Sequence, residues 1–178
     1  HVRWIAASAF LGCHSMRVNV AGDGTREEHA KQAADSLHRL AVVADRYALN
    51  VIVENHGGLS SDGAWLAGVM KLADHPRVGT LPDFGNFTLG EGKTYDRYRG
   101  TQELIPFAKA LSAKSYDFDA QGTETTIDYA RMAKIAVDGG YAGWVGVEYE
   151  GDRLSEADGV RKTIELVRRT WAQAIEAK

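Results

Sequence analysis

Strand-like and helix-like segments alternate along the whole of this 178-residue chain, and that alternation limits the fold more than any other feature. The first apolar run is Cys13 to Val20, with Met16, Val18 and Val20 on one face and Arg17 and Asn19 on the other. Thr25 followed by Glu28 is a capping-box signature. It opens a helix to about Ala48 in which Ala33, Leu37, Leu40, Ala41 and Ala44 recur at helical spacing. A strand at Val51 to Asn55 follows. Ser61-Asp62 then caps a helix carrying Trp65, Leu66, Val69, Met70 and Leu72, which His75-Pro76 ends because a residue before proline avoids helical angles. The third strand is Val78 to Asp83. After a Gly- and Thr-rich loop, Asn86 to Tyr95, a helix runs to about Ile105. The fourth strand, Ala110 to Tyr116, leads into a polar loop, Asp117 to Thr126. Asp128 caps the next helix, which Gly139-Gly140 ends with a left-handed turn. The fifth strand is Trp144 to Tyr149. Ser155 with Asp158 opens a last helix carrying Val160, Ile164, Val167 and Trp171. Strands separated by helices run parallel with right-handed crossovers.

Five such βα units imply an α/β chain, and a closed (β/α) TIM barrel needs eight units in about 250 residues. The expectation is therefore a partial barrel, three units short. An open doubly wound sheet of five strands fits the length, but it lacks the phosphate-binding glycine loop after its first strand, where Gly22-Asp23-Gly24 is only a turn. No linker or low-complexity tract divides the sequence, so residues 1–178 read as a single domain. The chain begins at His1, without methionine, and enters Trp4-Ile5-Ala6-Ala7 like the tail of a helix, so the reading is of a domain truncated at its N-terminus.

Net charge is −3, which argues against a basic surface for nucleic acid or anionic lipid. No apolar run approaches the ~20 residues a membrane span needs, and no signal peptide is recognisable. The one cysteine, Cys13, forms no internal disulfide and fits a cytoplasmic location. It reads as a small buried residue, and His14 beside it as packed.

Three acidic residues close three of the strand-like runs: Glu54 in VIVENHGG, Asp83 in VGTLPDFGN and Glu148 in GWVGVEYEG. In a parallel barrel the carboxyl ends of the strands are where catalytic side chains converge. Alternation places Ile52, Glu54 and His56 on one face, with Val53 and Asn55 on the other; Gly146, Glu148 and Glu150 likewise share a face. Three converging carboxylates repel unless a cation or a shared proton intervenes. A hard divalent ion, Mg²⁺ or Mn²⁺, is the natural partner. The plainer alternative is that each acid caps a helix or pairs with an arginine. Lys114 shares a face with Ser112 and Tyr116, and its burial demands compensation. It is a candidate for holding substrate oxygens, or else a structural partner of Glu148 or Asp117. Arg17 and Asn19 are substrate contacts if inward-facing, and His56 is a candidate substrate or metal contact.

At these residues the chain resembles the xylose isomerase-like superfamily of sugar phosphate isomerases and epimerases. The matching segments are LGCHSMRVNV, VIVENHGGLSSD, LPDFGN, SAKSYDFD and GYAGWVGVEYEG, in order from about Leu11 to Val167. The resemblance implies a barrel of which these are the last five βα units. It also implies a divalent metal, Mn²⁺ or Mg²⁺ with Co²⁺ or Zn²⁺ as further candidates, held by Glu54, Asp83 and Glu148. Glu54 and Glu148 would be the catalytic pair, and His56, Asn86, Lys114, Arg17 and Asn19 would contact the substrate. Asn86 falls where sugar epimerases of this family often carry a substrate-binding histidine, and Ser112 where many members have a third, histidine ligand. The expected partner is a small sugar-like molecule rather than nucleic acid or membrane, with self-association into a homo-oligomer favoured by the sheet edges a shortened barrel leaves open. The implied activity is isomerisation or epimerisation of a sugar or hydroxy-ketone. Two other readings stand beside it: a non-catalytic barrel that binds a sugar-like ligand, and a phosphodiesterase of the endonuclease IV type. The last fits poorly with only six histidines and an acidic net charge.

Overall fold

The computed structural model describes all 178 residues. Helix α1 (Val2–Phe10) leads into β1 (Ser15–Val18), α2 (Arg26–Asp45), β2 (Asn50–Glu54), α3 (Gly63–Ala73) and β3 (Val78–Leu81). A small antiparallel hairpin, β4 (Thr88–Gly90) and β5 (Lys93–Thr94), precedes α4 (Arg97–Leu104). The chain continues through β6 (Ala110–Ser115), α5 (Tyr129–Asp138), β7 (Trp144–Tyr149) and α6 (Glu156–Glu176).

β1, β2 and β3 pair in parallel, as do β6 and β7. The parallel bridges Thr80–Ala108 and Asp83–Ser112 join β3 to β6. The five main strands therefore lie side by side in chain order. A doubly wound sheet would reverse direction at a switch point; this arrangement does not, and it is the arc of a partial (β/α) barrel.

Period-two alternation assigns the two faces of the arc. Met16, Val18, Val51 and Val53 pack outward against Ala33, Leu37 and Ala41 of α2 and Leu66, Val69 and Met70 of α3. Small alanines along α2 let that helix lie close to its neighbours, and each fully buried Val or Leu contributes roughly 1.5–3 kcal/mol. Leu66 is wholly buried, so Leu66→Ala would cost about 2–5 kcal/mol. A second cluster, Leu111, Ala113, Ile127, Met132 and Leu166, packs β6 against α5 and α6. Gly159 of α6 presses so closely on Tyr149 of β7 that a Cβ there would overlap the ring.

The caps are those the sequence announces. Thr25 and Glu28 form a reciprocal capping box on α2, Asp62 caps α3 through the Trp65 N–H, and Ser155 caps α6. α3 ends at Asp74 with φ +42°, just before His75-Pro76.

Three details differ from expectation. β1 spans Ser15–Val18 rather than Cys13 to Val20, and Gly12 (φ +72°) turns the chain just before it. Cys13 and His14 are consequently exposed instead of buried. β3 stops at Leu81, since Pro82 has no N–H to continue the ladder. Part of the Asn86 to Tyr95 segment forms the β4–β5 hairpin instead of a structureless loop. No helix is long and apolar enough to cross a membrane.

Candidate active site

The inner face of the arc carries the polar side chains. Glu54 ends β2, Asp83 lies two residues past β3, and Glu148 lies near the end of β7. One carboxylate oxygen from each lies within 4.8 Å of the others. At an effective dielectric of ~20, unit charges this close repel by about 3–4 kcal/mol per pair, so their compensation decides what the cluster is for.

Glu54 is buried and doubly held. Arg17 Nε stands 2.6 Å from its Oε2, and the Asn86 side-chain amide donates to Oε1 at 2.9 Å. Glu148 is nearly half exposed and faces Lys114 Nζ at 3.5 Å; the same ammonium lies 2.9 Å from Glu150 Oε1. Lys114 itself is only 2% exposed. Burial works against its charged form, but the Glu150 hydrogen bond and the charges of Asp83 and Glu148 outweigh it, so its pKa stands above the ordinary lysine value.

Asp83 is wholly buried and has no cation within ion-pair distance. Ser112 Oγ donates to its Oδ2 at 2.7 Å, and the Gly85 and Asn86 N–H groups donate to Oδ1 at 2.8 Å each. Burial nevertheless pushes its carboxyl up to about 6, against those hydrogen bonds and the charge of Lys114. Glu54, Asp83 and Glu148 meet, and Lys114 ties in Glu150, so four carboxylates are set against two cations, Arg17 and Lys114. The deficit of two positive charges equals the charge of one divalent ion, and oxygen donors suit a hard one. The donor set therefore fits a divalent metal.

Of the residues singled out from sequence, Arg17, Glu54, Asp83, Asn86, Lys114 and Glu148 come together. Asn19 lies at the rim, exposed, where its Oδ1 accepts from Arg17 Nη2 at 3.1 Å. His56 is exposed and outside the carboxylate group; only its backbone N–H is held, by Ser60 Oγ. Lys114 pairs with Glu148 and Glu150, whereas Asp117 is taken by Arg153 at 3.2 Å.

Two contributors escaped the sequence reading. Asn55 points away from Glu54 yet grips the Asp83 backbone, its Oδ1 accepting the Asp83 N–H at 2.7 Å and its Nδ2 donating to the Asp83 carbonyl at 2.9 Å. The signal available was an amide residue at a buried strand end, which must find partners. Ser112, noted as a face-mate of Lys114 and a departure from histidine but given no role, lies between two of the acids: its Oγ is also 3.2 Å from Glu148 Oε2.

A family model described as xylose isomerase-like TIM barrel matches residues 2–170. The C-glycoside deglycosidase alpha subunit of Arthrobacter globiformis is 31% identical over an 80-residue alignment that covers 42% of this chain and 23% of that subunit. A xylose isomerase-like TIM barrel protein from Mycobacterium smegmatis, solved in complex with magnesium, superposes with a TM-score of 0.74 at 16% identity, over 97% of this chain and 66% of its own. A D-tagatose 3-epimerase-like protein gives 0.76 at 16% identity, over 99% and 68%. 3-keto-D-glucoside 4-epimerase, YcjR, from E. coli gives 0.73 at 16%, over 94% and 68%. The chain spans about two thirds of the length of these barrels and a smaller part of the deglycosidase subunit. At these identities the solved structures speak for the fold.

Proposed function

This chain belongs to the xylose isomerase-like TIM barrel family, and from that premise we propose that it acts as an isomerase or epimerase, moving a proton beside the carbonyl of a sugar or related hydroxy-ketone. The observation that carries the reading is the meeting of Glu54, Asp83 and Glu148 at the carboxyl ends of three strands, with Asp83 buried and lacking a cation. Solved barrels of similar fold include sugar epimerases and a magnesium complex, which supports the same class of chemistry.

In this reading Glu54, Asp83 and Glu148 hold a divalent ion. When bound, the ion supplies Lewis acidity toward the carbonyl and hydroxyl oxygens of the sugar. Glu54 and Glu148 flank the substrate, one accepting the proton from the carbon next to the carbonyl. The electron pair left behind moves toward the carbonyl oxygen, giving an enediolate. The other carboxyl then delivers a proton, to the opposite face of the same carbon for epimerisation, or to the former carbonyl carbon for isomerisation, in which case the hydroxyl proton also passes to the former carbonyl oxygen. Arg17 and Asn86 fix the orientation of the Glu54 carboxylate, so its oxygens keep one direction through the cycle. Lys114 presents a buried ammonium beside Glu148, positioned to stabilise negative charge gathering on substrate oxygen. His56 and Asn19 are exposed, and in this reading they would contact only the far end of a sugar.

The test is solvent exchange. Free ketoses and ketose phosphates are incubated in D₂O with the protein and Mn²⁺ or Mg²⁺, and the loss of the proton next to the carbonyl is followed by NMR. Exchange that disappears in Glu148→Gln supports the reading. An ion that binds while no sugar exchanges overturns the proton transfer and leaves a barrel that binds its ligand without turning it over.

A further inference from the structure

We propose that Ser112 sets the ion preference of this centre, making it an all-oxygen site in which zinc gains no nitrogen ligand. The proposal rests on the metal-assisted reading above and goes beyond it by naming the residue that discriminates between ions.

The three groups that meet are all carboxylates, with no imidazole or thiolate among them. The other candidate donors lie outside that group. His56 is exposed, and its residue is held only through the backbone. His14 Nδ1 bonds Ser15 at 2.7 Å, away from the carboxylates. His38 and His75 face each other, bound to the Ala73 carbonyl and the Arg77 N–H. Cys13 is exposed just ahead of β1, at the opposite end of the strand from the acids. Lys114 is committed to Glu150 and carries a proton in place of a free lone pair.

Ser112 stands between the acids. Its Oγ lies 2.7 Å from Asp83 Oδ2 and 3.2 Å from Glu148 Oε2. A hydroxyl has one proton for these two acceptors, so it serves one acid at a time, Asp83 at the shorter distance, and remains a weak, neutral oxygen. An imidazole on residue 112 would start beside both carboxylates, within reach to offer a nitrogen to an ion they share. Imidazole favours zinc, whereas carboxylate and water suit magnesium and manganese. Glu148 is nearly half exposed, which leaves one side open for the several waters a magnesium ion keeps. A short hydroxyl at position 112 thus preserves an oxygen-only environment.

Two measurements test this. In pulsed EPR of the Mn²⁺-loaded wild-type protein, no imidazole ¹⁴N coupling is expected; its presence overturns the proposal, and because no substitution is involved the result does not depend on a variant folding. Calorimetric titrations with Mg²⁺, Mn²⁺ and Zn²⁺ then compare wild type, Ser112→His and His56→Ala. Ser112→His is expected to shift the Zn²⁺-to-Mn²⁺ affinity ratio toward zinc by at least ~10-fold, and His56→Ala to leave it unchanged. A ratio unmoved by Ser112→His, or moved by His56→Ala, overturns the assignment of selectivity to Ser112. If the wild-type protein binds none of the three ions, the metal-assisted reading itself falls, an outcome distinct from binding with the wrong preference.

Discussion

Asn55 holds Asp83 by its backbone from both sides, accepting the N–H at 2.7 Å and donating to the carbonyl at 2.9 Å. The pairing replaces a piece of β-ladder. The β2–β3 register ends at Glu54–Leu81, and Pro82 cannot donate. The Asn55 amide carries the link one step further, and its Nδ2 also reaches the Asn86 carbonyl at 3.0 Å. Asn55→Ala would leave a buried N–H and a buried carbonyl unmatched, each costing about 1–3 kcal/mol. The expected loss is ~2–4 kcal/mol in urea unfolding, by the same mechanism. Divalent-ion affinity, read by calorimetry, should fall about 10-fold or more because Asp83 is no longer aimed.

Asp83 makes the metal-free protein sensitive to pH in a defined direction. Its carboxyl is pushed up to about 6 by burial, from an ordinary value of 3.8. The folded chain therefore takes up this proton more readily than the unfolded one. Its contribution to stability is complete below about pH 4 and is lost as pH rises through about 6, at most ~3 kcal/mol. The difference between wild type and Asp83→Asn isolates this residue from the other acids. With EDTA present, the variant should be the more stable at about pH 8, by ~1–3 kcal/mol, and the advantage should vanish near pH 4. Saturating ion, at about 100 times its Kd, should add ~2.7 kcal/mol to the wild type and nothing to the variant.

The carboxylates were legible because they join two signals, a period-two apolar run and an acid at its end, that no packing requirement explains. Alternation implied parallel strands, and the absent glycine loop with the family resemblance favoured the barrel over a doubly wound sheet. The position of His56 did not follow. Period-two counting puts it on the face of Glu54, but β2 ends at Glu54, and Gly57 (φ +86°) and Gly58 (φ +58°) turn the chain away. The work of Asn55 depends on what lies across from it, Pro82 and Asp83, and a sequence does not say which residues face each other. Ser112 was visible as a departure from histidine, yet its place between two acids requires β6 to pair beside Asp83.

Lys114 separates chemistry from ion binding. Its charge offsets Glu148 and Glu150, both about half exposed to solvent. Because water reaches the two acids, Lys114→Met should cost no more than ~1–3 kcal/mol in thermal or urea unfolding. Removing a positive charge beside the carboxylates should leave divalent-ion affinity equal or tighter by calorimetry. Proton exchange from a ketose substrate in D₂O should fall by ~100-fold or more if the ammonium stabilises charge in the transition state. Ion affinity lost in parallel with exchange would mean that Lys114 serves only to hold the acids in place.

Gly85 packs directly against the stem of that lysine. A Cβ on it would lie 2.6 Å from Lys114 Cδ and 2.6 Å from the Tyr116 hydroxyl, well inside van der Waals contact. Lys114 is 2% exposed and has little room to retreat, so Gly85→Ala should cost about 1–3 kcal/mol in urea unfolding. The same shift should pull Nζ away from Glu150 and slow exchange. Tyr116→Phe removes one of the two obstructing atoms. Gly85→Ala made in that background should therefore cost less than in the wild type, by ~0.5 kcal/mol or more in a double-mutant cycle. Strict additivity would place the strain elsewhere in the Asp83–Asn86 turn.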